Sequence, residues 1–270
     1  MLGPHIPKVH NARQLISVWG WDCYQTQLGN PRSLEIPYLG EADDCNNPLW
    51  IGHAAFVAHA TPKYAERTAY YFSELIKRAA NARVHTIVIH SGAVSGKFLC
   101  IVLDEMERFL KYLYPILEEY DMTLAMEFSA STCAFNLDPQ SFIERFEDTR
   151  IGYCFDLAHT YAAGCMWENI RKCIKTTPPL VAHINYPGTE HGSSRDVHGW
   201  RSKPEYIRRG KTLCLRHYGI DELISEYDTT IRLLQSLKVP MILEGSQFEV
   251  SNIMTELKLV KEILCMSQSP

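Results

Sequence analysis

A chain of 270 residues that is 46% hydrophobic can bury the core of one α/β barrel, so a single domain over residues 1–270 is expected. The net charge of −4 argues against a surface coated throughout in nucleic acid, although a net value hides local fields. No apolar run spans a bilayer and the first residues, MLGPHIPKVHNARQ, lack the charged-then-apolar order of a secretory signal, which predicts a soluble protein of the cytoplasm or nucleus.

Along the chain, apolar strand runs alternate with amphipathic stretches, the pattern of a parallel sheet. Strands are expected near residues 2–6 and 23–28, with Asn11 as an N-cap candidate between them. The segment 31–48 is too polar and too rich in Pro and Asn for a long helix, so the second helix is expected to be short or missing. A strand at 49–55 leads through Thr61, a second cap candidate, to a helix over 63–81. A strand at 84–90 and a helix over 100–120 follow. Further strands are expected at 123–129, 151–157, 180–186 and 240–245, with helices over 220–237 and 252–265 and cap candidates at Asp138 and Asp221. Eight strands of this kind predict a closed (β/α)₈ TIM barrel.

Nine cysteines make an odd count without a CxxC pair, which indicates neither a disulfide framework nor a thiolate zinc site. Most are expected to be reduced core residues, Cys154 inside a strand the clearest case.

The strand runs read WIGH, TIVIH, TLAMEF, GYCFDLAH, LVAHIN and PMILEG, and each carries at or near its end a residue that can bind a metal. These and the segment after them supply His53, His90, Glu127, Asp156, His159, His183, Asp196, His198 and Glu244. The C-terminal ends of barrel strands converge on one face, so ligands far apart in sequence become neighbours. A lone histidine such as His59 or His85 is more often an ordinary core or surface residue, and both are left out. A carboxylate ending an apolar strand, as at Glu127, Asp156 and Glu244, is a costly buried charge unless a metal or cation pairs it. Imidazole and carboxylate donors without cysteine suit Zn²⁺, with Mn²⁺ or Fe possible, and nine of them would hold about three ions. Clustered ions of this kind suit phosphodiester hydrolysis.

Between 187 and 219 lies the longest insertion, and from His191 to His217 it is locally basic: Arg195, Arg201, Lys203, Arg208, Arg209, Lys211 and Arg216 stand against only Asp196 and Glu205. Such a loop is most often a solvated surface. At the mouth of a barrel, and carrying two candidate metal ligands, it suits a phosphate backbone.

At these residues the chain resembles the endonuclease IV family of apurinic/apyrimidinic endonucleases, barrels that hold three zinc ions. The nearest stretches are YCFDLAHTYAAG at 153–164 and HINYPGTEHGSSRDVH at 183–198. ILE at 242–244, IHSG at 89–92 and MEFSAST at 126–132 are similar to three further signatures, with Ser for Pro in the second and Phe for Asn in the third. The resemblance runs from about residue 48 to the C-terminus. It implies that Glu127 bridges two zinc ions, one completed by His53 and His90 and the other by Asp156, His183 and Glu244. His159, Asp196 and His198 would hold the third. It implies hydrolysis of the phosphodiester 5′ to an abasic site in double-stranded DNA, in base excision repair, with Glu127, Asp156 and Glu244 as catalytic groups and no side chain as general base. Products are a 3′-hydroxyl and a 5′-deoxyribose phosphate. Mn²⁺ could replace Zn²⁺, and a monomer with no membrane association is expected.

For DNA the resemblance implies a wedge at Phe56 and Val57 and an intercalating Arg32, while the basic loop by its charge offers Arg195, Arg201, Arg208 and Arg209 to the phosphate backbone. On composition alone Phe56 is equally well ordinary barrel core. After His198 the family continues with a short Gly-rich segment, whereas this chain is longer and more basic, which predicts an altered DNA grip. A metal-dependent sugar isomerase or epimerase of the xylose-isomerase-like group is the competing reading. It needs a set similar to Glu127, Asp156, His183 and Glu244 for one ion, but not His53, His90, His159, Asp196 and His198 together. A lesion-binding protein without turnover and a UV-damage endonuclease fit the residues less well.

Overall fold

The computed structural model describes residues 1–6, 22–28, 49–54, 65–90, 99–127, 143–144, 150–162, 165–189, 196–199, 219–244 and 250–265. Among these the strands, numbered along the chain, are β1 (Leu2–Ile6), β2 (Cys23–Leu28), β3 (Leu49–Ala54), β4 (Thr86–His90), β5 (Thr123–Glu127), β6 (Ile151–Asp156), β7 (Val181–His183), β8 (Tyr186–Thr189), β9 (Asp196–Gly199) and β10 (Met241–Leu243). The helices are α1 (Ala65–Asn81), α2 (Leu99–Glu119), α3 (Leu157–Ala162), α4 (Trp167–Thr176), α5 (Ile220–Ser236) and α6 (Val250–Cys265).

Eight strands pair in parallel and close into a barrel in the order β1, β10, β7, β6, β5, β4, β3, β2. The remaining two, β8 and β9, form an antiparallel hairpin. Period-two alternation divides each barrel strand between two environments. Outward residues such as Ile87, Ile89, Leu124, Met126, Tyr153 and Phe155 meet the helices in one large apolar cluster. Inward residues Cys23, Ile51, Val88, Ala125, Cys154, Val181 and Ile242 form a second cluster that fills the barrel axis. Gly3 is needed where β1 closes on β2, because a Cβ there would fall on the carbonyl oxygen of Cys23. In the outer layer α1 packs on α2, with the rings of Phe72 and Phe109 5.5 Å apart, edge to face.

Three helices feed their next strands through the same device. Arg83, Asp121 and Lys238 adopt positive φ (61°, 49° and 59°) just after α1, α2 and α5. Beyond each, the N–H of Val84, Met122 or Val239 donates back to the carbonyl of Ala79, Leu117 or Leu234 at 3.0, 2.9 and 3.0 Å. These are Schellman closures, normally built on glycine because the left-handed conformation costs other residues roughly 1–2 kcal/mol. Replacing the exposed Lys238 by Gly should therefore stabilise the chain by about 0.5–1 kcal/mol after the greater freedom of unfolded Gly is subtracted. Urea unfolding measures this, and a less stable variant would refute the reading.

All eight expected strands are present, and the four expected helices begin and end within two residues of their expected limits. The short helices α3 and α4 are not among the expected elements: six residues give α3 too little periodicity, whereas α4 does carry a helical spacing, at Trp167, Ile170, Cys173 and Ile174. Asp221 is not the N-cap of α5. Gly219 occupies that position, and Asp221 and Glu222 lie in the first turn, where they face the positive end of the helix dipole. Asn11, Thr61 and Asp138 lie outside the described residues, as does the segment 31–48. Cys23, Cys154, Cys165 and Cys173 are buried thiols, as the core reading requires, whereas Cys265 is exposed. Burial pushes the thiols of Cys23 and Cys154 up to about 12, so both are poor nucleophiles. No helix among the described residues is long and apolar enough to cross a membrane.

Candidate metal centre

Two residues beyond the axial layer, the same inward face changes from apolar to polar. Cys23, Ile51, Val88, Ala125, Cys154, Val181 and Ile242 are followed at that spacing by Gln25, His53, His90, Glu127, Asp156, His183 and Glu244. Register locks neighbours together: His90 pairs with Glu127, Asp156 with His183, and His183 with Ile242. The apolar layer is thus the floor of a pocket at the C-terminal ends of the strands. Its walls are the strand-end imidazoles and carboxylates that the sequence reading had singled out, together with one amide that it had not. Glu127 is 1% exposed, and Asp156 and His183 are fully buried.

Glu127 stands at the centre. Its Oε2 lies 3.2 Å from His53 Nε2, 3.5 Å from His90 Nε2 and 3.5 Å from His183 Nδ1, while Oε1 lies 3.5 Å from His159 Nε2. His53 Nδ1 is 3.1 Å from the carbonyl of Ala54, which accepts its proton and leaves Nε2 turned toward Glu127. The rings of His53 and His90 meet edge to face at 4.8 Å, and those of His53 and His183 stack at 5.5 Å.

Asp156 does two jobs at the junction of β6 and α3. Its Oδ1 accepts the backbone N–H of His159 at 2.6 Å, the N-cap contact of α3. That turn brings His159 back over the pocket, which is the physical content of the Asp-Leu-Ala-His spacing. Oδ2 of Asp156 is left facing His183 Nδ1 at 3.6 Å. Glu244 follows β10 and is held by Asn185. The Glu244 N–H donates to Asn185 Oδ1 at 2.9 Å, and the Asn185 amide donates back to the Glu244 carbonyl. Its carboxylate oxygens lie 3.7 Å from His53 Nε2 and 3.6 Å from His183 Nδ1.

The charges are mutually dependent. Burial pushes the Glu127 carboxyl up, but His90, His183 and His53 outweigh it and hold Glu127 well below the usual carboxylate range. Burial opposes protonation of His183, yet Cys154, Glu244, Glu127 and Asp156 together raise it well above an ordinary histidine. The Asp156 carboxylate also raises His159, whereas burial lowers His90 despite Glu127 beside it.

Divalent cations fit this donor set. Asp156 Oδ2 and His183 Nδ1 are fully buried polar atoms with no hydrogen-bond partner, and they face each other across a gap that a metal ion would fill. Ligand atoms of His53, Glu127 and His183, of Glu127, Asp156 and His159, and of Asp156, His183 and Glu244 lie within 4.8 Å of one another in each group. Three carboxylates and four imidazoles without a thiolate suit Zn²⁺ or Mn²⁺.

Asp196 and His198 lie on β9, opposite Thr189 and Pro187 in the hairpin. The other strand of that hairpin, β8, packs against α3, the helix that carries His159. Arg32, Phe56, Val57, Arg195, Arg201, Arg208 and Arg209 lie outside the described residues. Sequence reading missed Gln25 and Asn185. Neither ends a strand as a metal-ligand type, although counting two residues on from Cys23 would have found Gln25.

Comparison with known proteins agrees with this architecture. The family model described as xylose isomerase-like TIM barrel matches residues 42–243. A probable endonuclease 4 of Mycobacterium leprae is 26% identical over 211 residues, covering 73% of this chain and 81% of that protein. Among solved structures, endonuclease IV of Thermus thermophilus superposes with a TM-score of 0.66 at 14% identity, covering 98% of this chain and 99% of the other. A D-tagatose 3-epimerase-like protein superposes with a TM-score of 0.71 at 16% identity, covering 98% and 97%. At such identities the two structures speak for the fold alone.

Proposed function

The chain belongs to the xylose isomerase-like TIM barrel family, and from that premise we propose that it is a metal-dependent phosphodiester hydrolase of the endonuclease IV type, cutting duplex DNA 5′ to an abasic site. One observation carries the reading. Besides Asp156, His183 and Glu244, which with Glu127 would satisfy a one-ion isomerase, His53, His90 and His159 also reach the Glu127 carboxylate, at 3.2, 3.5 and 3.5 Å. A one-ion site has no use for three further imidazoles. The likeness to a probable endonuclease 4 supports the same choice.

In this reading Glu127 would hold ions together with His53 and His90 and with Asp156, His183 and Glu244, and His159, Asp196 and His198 would hold a further one. Bound Zn²⁺ would supply Lewis acidity toward the phosphoryl group, the attacking water and the departing oxygen. The protein's own contribution is to hold these donors rigidly on strand ends, so that little reorganisation accompanies the reaction. Arg32, Phe56 and Val57, with Arg195, Arg201, Arg208 and Arg209, would engage the DNA. Products would be a 3′-hydroxyl and a 5′-deoxyribose phosphate.

The test is incision of a duplex oligonucleotide carrying one tetrahydrofuran abasic analogue, alongside metal analysis of the purified protein and a panel of ketose sugars. Cleavage 5′ to the analogue with about three zinc ions per chain is expected. Sugar isomerisation with about one ion per chain and no cleavage would overturn the proposal.

A further inference from the structure

We propose that Gln25 is a positioning residue that decides which ring nitrogen His183 presents to a metal ion and aims the Glu244 carboxylate at the same point. This rests on the metal-centre reading above. Gln25 lies on β2, is fully buried, and occupies on its strand the position that His53, His90, Glu127, Asp156 and His183 occupy on theirs. Its amide spans two candidate ligands that are remote in sequence. Gln25 Nε2 donates to Glu244 Oε1 at 2.9 Å, and Gln25 Oε1 lies 2.9 Å from His183 Nε2.

The chemistry of an amide fixes the direction of both contacts. A carboxylate only accepts, so the nitrogen of the Gln25 side chain must be the atom that faces Glu244. The amide oxygen is thereby turned to His183, and an oxygen there can only accept. His183 must then carry its proton on Nε2, and its lone pair is left on Nδ1. Nδ1 is the atom that lies 3.5 Å from Glu127, 3.6 Å from Asp156 and 3.6 Å from Glu244. Without Gln25 the opposite tautomer, which points a proton at the three carboxylates' common focus and strands its lone pair in the wall, has no opponent. The same loss frees Glu244 Oε1 to rotate away. A residue on β2 therefore couples ligands on β7 and after β10, on the far side of the point where the barrel closes.

Gln25→Met keeps the length and bulk of the side chain and removes both hydrogen bonds. Gln25→Glu keeps an acceptor for His183 but cannot donate to Glu244. Zinc affinity is read by competition with a chromophoric chelator, the ligand field by the visible spectrum of the cobalt(II) protein, and folding by the melting temperature of the metal-free chain. Q25M is expected to lose about ten- to a hundredfold in affinity for one ion, with shifted cobalt bands and a metal-free melting temperature close to that of the parent. Q25E is expected to recover part of that affinity through the His183 half while its cobalt bands stay shifted. Parental affinity and an unchanged cobalt spectrum in Q25M overturn the role of Gln25 alone. Should Q25M not fold, an unchanged cobalt spectrum in Q25E does the same. A parent protein that takes up no zinc overturns the metal centre and this proposal together.

Discussion

Replacing Glu127 by Gln is expected to lower kcat/KM for incision by roughly 10³–10⁴-fold, equivalent to roughly 4–5.5 kcal/mol of lost transition-state stabilisation. The size follows from position. One carboxylate lies between 3.2 and 3.5 Å from four imidazoles, so in the proposed centre an ion held by either side of the pocket would draw on this residue. An amide of the same shape preserves packing in a site that is 1% exposed, so the chain should fold. It removes the central negative charge, so zinc content should fall with activity rather than after it. Metal analysis and incision kinetics on one preparation check both. A Glu127→Gln protein with full zinc content and parental kcat/KM would take Glu127 out of the centre.

Asp156 offers a sharper separation, because its two oxygens serve different ends. On the proposed function, Asp156→Asn and Asp156→Ala should each remove a proposed metal ligand and depress incision by a comparable roughly 10³-fold. They should differ in stability. Asn caps a helix as well as Asp does, whereas Ala forfeits the contact from Oδ1 to the His159 N–H, worth about 1 kcal/mol. In the metal-free state the Ala variant should melt about 2–4 °C below the Asn variant. Both variants lose the same charge beside His183, so the difference between them isolates the cap. Equal melting temperatures would show that the cap contributes nothing. Parental zinc affinity in Asp156→Asn would remove Asp156 from the ligand set.

Much of the barrel was legible before any coordinates. Stretches such as IVI at 87–89 and YCF at 153–155 are apolar throughout because both faces of a parallel strand are buried, one on the barrel axis and one under the helices, and the structure confirms this at Val88 and Ile89 and at Cys154 and Phe155. The long helices were legible from their periodicity. Local signals failed where the local chemistry was ambiguous. Asp221 is as good a cap residue as any, but Gly219 is where the backbone turns, and Asp221 serves the first turn instead. The helix α3 is set less by its own pattern than by the strand end and cap that precede it, whereas α4 carries its own apolar stripe at Trp167, Ile170 and Ile174.

What the sequence determined by itself is the kind of site: carboxylates and imidazoles placed at the ends of apolar strands, of the types that hold divalent cations. That much is local, because period-two alternation carries the inward face of each strand from the axial layer to the rim without reference to any other strand. Only the tertiary structure decided how those groups meet. Barrel closure brings Gln25 against Glu244, 219 residues away, and against His183, 158 residues away. It also assigns Nδ1 of His183 to the pocket, because Nε2 is already engaged by Gln25. Which nitrogen His183 offers depends on what occupies its other end, and that partner comes from a different strand, where no spacing within β7 records it.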